Sequence, residues 1–374
     1  MDPHIFDVMV IGAGQSGLAA GHYLKRTGLD FSILEGANRV GDVWRGRWDS
    51  LRLFTPARYS ALPGLKFPAA GGTYPGKDAF ADYLESYEQH FQLPVRTGIR
   101  TLSVRRVNDV FELQTSAGEM RARNVIATPG GNSTPHIPAA AQAMAPSIRQ
   151  LHSSEYRGPA GVPAGDVVVA GAGTSGVEIA LELALNRPAG TVFLAGRPTA
   201  HIPDAVFRFA GPLYWRLVNS LLTLDTKPGR KVAAGFHSHG APLIRVSVED
   251  VERAGAVRLP RISGAVDGKP TFDVGTSNSG TPARGAVPGD VRTVIWATGY
   301  RPAFDWIAGL PVDSLGWPAT ARGVVPEIPG LYFVGMPFQY ALTSGLVGGV
   351  GRDAEYVVGQ LLRTRAHREA DSRA

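Results

Sequence analysis

The chain of 374 residues contains no cysteine. That absence excludes a redox-active dithiol, so disulfide exchange of the thioredoxin-reductase kind is ruled out, and thiolate metal sites go with it. Histidine offers no replacement, because His237 and His239 stand two apart with no third ligand beside them and read as a polar loop pair. Charge of one sign is also scarce. The formal net charge is +6, the arginines are scattered, and no basic stripe interleaved with aromatics points to nucleic acid. The small excess suits anionic cofactors, together with a basic tail from Arg363 to Arg373. The most aromatic stretch, Ala205 to Leu224, carries Phe207, Phe209, Leu213, Tyr214, Trp215, Leu217, Val218, Leu221 and Leu222. Arg208, Pro212 and Arg216 interrupt it, which makes it too polar and too broken to span a bilayer. It reads as a helical pair covering a substrate channel or as core packing, with peripheral membrane contact as the alternative. Met1-Asp2-Pro3-His4 brings no charged leader ahead of the first apolar run, so a cytoplasmic location is expected.

What the chain does have is the same glycine pattern twice, Gly12-Ala13-Gly14-Gln15-Ser16-Gly17 and Gly171-Ala172-Gly173-Thr174-Ser175-Gly176. Each follows a short apolar run, Val8 to Ile11 and Val167 to Ala170, and precedes a helix-compatible stretch. That context turns a glycine-rich turn into a dinucleotide fingerprint. The first glycine permits the tight turn, the second lets a pyrophosphate approach the backbone, and the third lets helix pack on strand. Free N–H groups at the helix start then face the phosphates.

The residues beyond each fingerprint separate the two ligands. The strand Phe31 to Leu34 ends at Glu35, where an acid accepts hydrogen bonds from a ribose hydroxyl, as an unphosphorylated adenosine such as that of FAD requires. The strand Thr191 to Leu194 leads instead to Ala195-Gly196-Arg197. A guanidinium there matches a 2′-phosphate, which favours NADPH over NADH.

The expected fold class is α/β, with two Rossmann-like dinucleotide-binding domains. An FAD domain of residues 1–150 and 297–374 is interrupted by an NADPH domain of residues 151–296. The first fingerprint helix is expected to run to about Arg26 and close at Gly28, and a second helix to cover Ala79 to Phe91. Strands are expected at Thr101 to Val107, Val110 to Thr115 and Arg121 to Thr128, with linkers over Pro129 to Pro138 and Gly158 to Gly165. In the second domain a helix should run from Gly176 to Asn186, stopped before Pro188. Gly268 to Gly289 reads as an exposed loop or hairpin. A strand Val291 to Ala297 and another at Leu331 to Gly335 precede a last helix, which ends near Leu362 and turns its N-terminus to the first cofactor.

These features carry a family resemblance. The two fingerprints, Ala297-Thr298-Gly299-Tyr300, Gly41-Asp42-Val43-Trp44-Arg45, Trp48-Asp49-Ser50-Leu51, Phe54-Thr55-Pro56 and His152-Ser153-Ser154-Glu155-Tyr156 together resemble a class B flavoprotein monooxygenase. The chain is most similar to the short bacterial flavin-containing monooxygenases, some of which are labelled cation-transport flavoproteins. The resemblance implies FAD reduced by NADPH, capture of molecular oxygen as a C4a-hydroperoxyflavin, and transfer of one oxygen atom to a small organic substrate. It places Gly12, Gly14, Gln15, Ser16, Gly17 and Glu35 around FAD, and Gly171, Gly173, Thr174, Ser175, Gly176 and Arg197 around NADPH. Trp44 and Arg45 should lie against the flavin, with Asp42 and Thr55 close by. Thr128, Thr298 and Gly299 mark the two crossings between cofactors, where the threonines read equally well as turn residues.

The pattern has departures. Asp42 replaces the second glycine of the family's G-G-x-W segment. Pro146 and Ile148 stand where the motif F-x-G-x-x-x-H-x-x-x-(Y/W/P) has Phe and Gly, while His152 and Tyr156 match it. Thr55-Pro56 stands where many relatives have an asparagine. A terminal Tyr favours oxygenation of a soft nitrogen or sulfur. The alternatives are a Baeyer-Villiger enzyme acting on ketones, an NADPH oxidase or diaphorase that releases peroxide, and a non-catalytic redox sensor. A homodimer is a further expectation. His152 reads as a residue that orients the linker, since no acid neighbours it at a spacing that would set its pKa.

Overall fold

The computed structural model describes residues 4–131, 134–186, 189–239, 241–273 and 288–371. Most of the loop expected from Gly268 to Gly289, and the side chains of His237 and His239, lie outside the described set.

The first unit grows from β1 (Ile5–Ile11), α1 (Gln15–Leu24) and β2 (Phe31–Leu34). After the one-turn α2 (Asp42–Arg45) come α3 (Lys77–Phe91) and a short β3 (Val95–Arg96). An antiparallel meander follows, β4 (Thr101–Val107), β5 (Val110–Thr115) and β6 (Gly118–Ala127). The hydrogen-bonded order is β3-β2-β1-β6-β5-β4. β1 and β2 are parallel and nearly continuous in apolar residues, as strands covered on both faces must be.

The second unit holds β8 (Arg149–His152), β9 (Asp166–Ala170), α4 (Thr174–Asn186) and β10 (Val192–Ala195). These are followed by α5 (Asp204–Leu221), α6 (Lys227–His239), α7 (Val248–Arg253) and β11 (Val257–Leu259), then the hairpin β12 (Ile262–Val266) and β13 (Lys269–Phe272), and finally β14 (Val291–Trp296). Its parallel sheet has the order β11-β10-β9-β14-β8. The expected boundary between residues 150 and 151 therefore falls inside β8.

The chain leaves the first unit through β7 (Thr134–Pro135) and returns through β15 (Tyr300–Arg301), and the two passages pair antiparallel. It then adds β16 (Leu331–Phe333), parallel to the end of β6, and closes with α8 (Val347–Asp371), which packs on α1. Each fingerprint strand is thus central in its sheet. Its C-terminal end lies where the order reverses, between β1 and β6 or between β9 and β14, the crevice in which open α/β sheets bind ligands.

Some boundaries differ from the sequence expectation. α1 stops at Leu24 with Lys25 as its cap, and Gly28, although left-handed at φ 73°, turns the chain into β2 instead of capping the helix. α3 starts at Lys77, two residues early, because Gly76 adopts the extended cap conformation. α8 runs to Asp371, well past Leu362. α5 continues through Pro212, where a break was expected. A proline inside a helix costs about 3 kcal/mol, and burial of Phe207 and Val218 beneath the helix offsets that cost.

Candidate active site

At the first fingerprint, glycine is required for two opposite reasons. A Cβ on Gly17 would run into the Gly12 carbonyl oxygen, so α1 can pack this close to β1 only without one. A Cβ on Gly14 would meet nothing of the protein within 4 Å, so the loop is open on the side a phosphate would approach. Glu35 stands at the end of β2, and its carboxylate accepts from Ala13 N–H at 2.8 Å and from Ala37 N–H at 2.9 Å. Ser16 is buried, and a Cβ on Gly335, just past β16, would strike its hydroxyl. Sequence reasoning passed over Gly335. Thr128 donates its hydroxyl to Ile11 O at 2.8 Å and also reaches Gly12 O at 2.9 Å, which locks the turn from behind.

The second fingerprint repeats the design. Gly176 is forced by the Gly171 carbonyl, Gly171 at φ 116° sits under Ala297 O, and Gly173 is open to 4 Å. Thr174 and Ser175 begin α4. No carboxylate follows β10. Arg197 follows it instead, exposed, and Arg258 on β11, in register with Leu194, donates to Gly196 O at 3.4 Å. At the crossing, Thr298 gives its hydroxyl to His136 O, and Gly299 O accepts His136 N–H at 2.9 Å. Both crossing threonines thus spend their donors on the backbone.

The segment after Gly41 rivets the two units together. Trp44 stands edge-on to Phe80 at 4.8 Å and packs on the first unit's core. Trp48 is buried in the second unit's core. Arg47 donates to Tyr300 OH at 2.8 Å. Arg45, expected beside the flavin, also has protein partners. Its guanidinium is turned to α3, pairing with Asp82 at 2.8 Å, Glu85 at 3.1 Å and Asp42 at 3.3 Å, and donating to Val40 O at 2.7 Å. These bonds tie Arg45, and with it the segment, to α3. An open cleft of about 330 Å³, lined by Asp42, Val43, Gly46, Arg47, Pro135, Ser154 and Tyr300, separates the units at this point.

A second cavity, of about 160 Å³, lies between the 55–61 loop, the inner face of α5 and the start of α8. Thr55, Tyr59, Trp215, Asn219, Thr343 and Gly348 are among its walls. Thr55 is buried and hydrogen-bonded to the Ser60 hydroxyl at 2.8 Å. Thr343 donates to Asn219 Oδ1 at 2.5 Å, which ties α5 to the loop before α8. The first turn of α8 brings the positive end of a long helix to this wall. Asp353, one turn further on, is fully buried, and burial pushes its carboxyl above the usual range. It accepts from Ser344, whose oxygen in turn accepts the N–H groups of Tyr340 and Ala341. This chain of bonds holds the loop that roofs the cavity. The aromatic stretch read as covering a substrate channel supplies Trp215 to its wall.

His152 is fully buried at the end of β8. Its Nε2 lies 3.0 Å from Gly299 O, so Nε2 carries the proton, and Nδ1 accepts the Ser154 N–H at 3.2 Å. The structure corrects one expectation. Glu155 does neighbour it, accepting His152 N–H at 2.7 Å. Burial nevertheless outweighs that carboxylate and holds the imidazole below its ordinary value. The unfolded chain therefore takes up a proton near pH 6.5 that the folded chain resists, and stability from this group is complete above that pH and lost as pH falls below it. His152→Gln is expected to lower stability by about 1–2 kcal/mol at pH 7.5. The gap between the urea midpoints of variant and wild type should narrow toward pH 5, and a constant gap would refute the neutral-imidazole role. Tyr156, the other match to the damaged motif, is buried and donates to Glu182 on α4 at 2.7 Å.

A family model for pyridine nucleotide-disulphide oxidoreductases matches residues 9–205, which include both glycine cradles. The chain belongs to that family. With no cysteine, this oxidoreductase lacks the disulphide for which the family is named. It is 36% identical, over 96% of its own length and 99% of the relative's, to the "Uncharacterized oxidoreductase CzcO-like" of Geobacillus kaustophilus. Among solved structures, the flavin-containing monooxygenase from Stenotrophomonas maltophilia superposes with a TM-score of 0.73 at 28% identity, over 97% of this chain and 99% of that one. Indole-3-pyruvate monooxygenase YUCCA1 of Oryza sativa subsp. japonica is 31% identical across 52% of this chain and 48% of its own. Within the family this oxidoreductase is of the flavin-containing monooxygenase type, with that fold over 97% of its length.

Proposed function

We propose that this oxidoreductase is an FAD- and NADPH-dependent monooxygenase that oxygenates a small molecule at a soft nitrogen or sulfur. The observation that carries the reading is the duplicated cradle, one closed by the Glu35 carboxylate and the other by the Arg197 guanidinium. The residues fit the two cofactors. Gly14 and Gly173 leave open backbone at a helix start, where a pyrophosphate is held, and Glu35 has lone pairs free for a ribose. Bound there, NADPH supplies the hydride and FAD the activation of molecular oxygen.

The chain's own residues supply orientation. Trp44 packs on the first unit's core and Trp48 in the second's, which fixes the segment between them. The 160 Å³ cavity mixes apolar walls, Ala61, Trp215 and Leu346, with polar ones, Thr55, Arg58, Asn219 and Thr343. The buried Tyr59 hydroxyl and Trp215 N–H have no protein partner among the described residues, which suits a compact substrate that carries a hydrogen-bonding group. The domain limits proposed are those of the two sheets, with the FAD unit resumed after β14.

The test is product accounting with a thioether, an amine and a cyclic ketone. NADPH consumption matched by sulfoxide or N-oxide is expected. Lactone from the ketone would make it a Baeyer-Villiger enzyme. Peroxide equal to the NADPH consumed, whatever is added, would make it an oxidase.

For Arg197, hydrogen bonds to a charged phosphate are worth about 1.5–3 kcal/mol, or roughly 10- to 150-fold. Arg197→Ala should raise KM for NADPH by that factor and leave NADH unchanged. Equal changes for both would remove the 2′-phosphate assignment.

A further inference from the structure

We propose that the outer face of α5, with the first turn of α6, docks this protein on an anionic membrane surface. The helix divides its apolar residues between two faces. Phe207 and Val218 point inward and are buried, and Trp215 lines the cavity beside Tyr59. Phe209, Leu213, Leu217 and Leu221 point outward with 82%, 60%, 47% and 49% of their surface exposed. A spacing of four puts them along one stripe about 18 Å long. No other helix among the described residues carries more than one exposed large apolar side chain. Soluble proteins seldom leave such a contiguous patch bare.

The charge around the stripe selects the occupant. From the start of α5 at residue 204 to residue 236 the sequence has five basic residues and two acidic ones, Asp204 and Asp225. Arg216 is exposed beside the stripe, and Lys227, Arg230 and Lys231 are exposed at its C-terminal end on α6. Asp225 is engaged by the Tyr340 hydroxyl at 2.7 Å. A second copy laid on this face by a two-fold axis would bring cation against cation. Phosphate head groups neutralise the cations while the acyl boundary accepts Phe and Leu, which is the binding mode of an interfacial amphipathic helix. Trp215 faces the cavity and is not part of this surface.

The FAD-loaded full-length protein should cosediment with phosphatidylcholine vesicles containing about a third phosphatidylglycerol, bind pure phosphatidylcholine far less, and be released by salt. Phe209→Ser with Leu213→Ser should cut partitioning onto the anionic vesicles by roughly tenfold or more, and Lys227→Ser with Lys231→Ser should remove most of the salt-sensitive part. All four positions are exposed, so flavin content and melting temperature should match wild type and certify the fold. The proposal is overturned if wild type fails to bind anionic vesicles, or if the apolar variant binds them equally. It is also overturned if the stripe instead sustains a concentration-dependent dimer that the apolar variant dissolves.

Discussion

Gly14→Val is expected to yield a folded, colourless protein. The backbone at Gly14 is extended, with φ −72° and ψ −174°, a region valine occupies readily. Since nothing of the chain lies within 4 Å of the added Cβ, the branched side chain intrudes only on space reserved for a ligand. Displacing a pyrophosphate from several backbone N–H groups, each worth about 1.5–3 kcal/mol when the partner is charged, weakens flavin binding by roughly 10³-fold or more. Flavin absorbance per chain should therefore fall to near zero, while circular dichroism keeps its apoprotein form. Gly17→Ala provides the contrast, because its methyl collides with the Gly12 carbonyl and the chain should fail to fold or melt far earlier. A yellow Gly14→Val protein at full occupancy would show that FAD does not lie in the first cradle.

The second large effect is expected at Gly173→Val. By the same geometry the protein should fold, and it should be yellow. Mixed anaerobically with NADPH, its flavin should be reduced about 10³-fold more slowly than in wild type at subsaturating NADPH, again the loss of several charge-assisted bonds. The pair of variants separates the cradles by colour and by reduction rate. Loss of flavin from Gly173→Val with normal reduction in Gly14→Val would mean that the two nucleotides are assigned the wrong way round.

The sequence was most legible where periodicity is strong and partners are local. β2, β4 and β5 have the bounds that their apolar patterns imply, and the glycine fingerprints fall at the strand ends where phosphate cradles form. Other features depend on distant partners. Arg45 is a cofactor contact by motif, yet its carboxylates lie on α3, Asp82 and Glu85, almost 40 residues away in sequence, and no local pattern reveals that they meet. The two-residue strands β7 and β15 are too short to leave a periodic trace, and their pairing joins segments some 165 residues apart. Pro212 looks like a break because a local rule says so, whereas burial of one face of α5 overrides it. Gly335 is required both by its left-handed backbone, φ 90°, and by Ser16, which α1 brings against it.

The side-by-side passage of β7 and β15 has a mechanical consequence. A single strand between two lobes acts as a swivel, but two strands bonded to each other behave as a strap that resists twisting. Arg47 with Tyr300, and His152 with Gly299, add stitches across the same seam. Wide opening and shutting of the lobes is thereby disfavoured. Loosening one stitch, as in Arg47→Ala, would turn the strap back into a swivel.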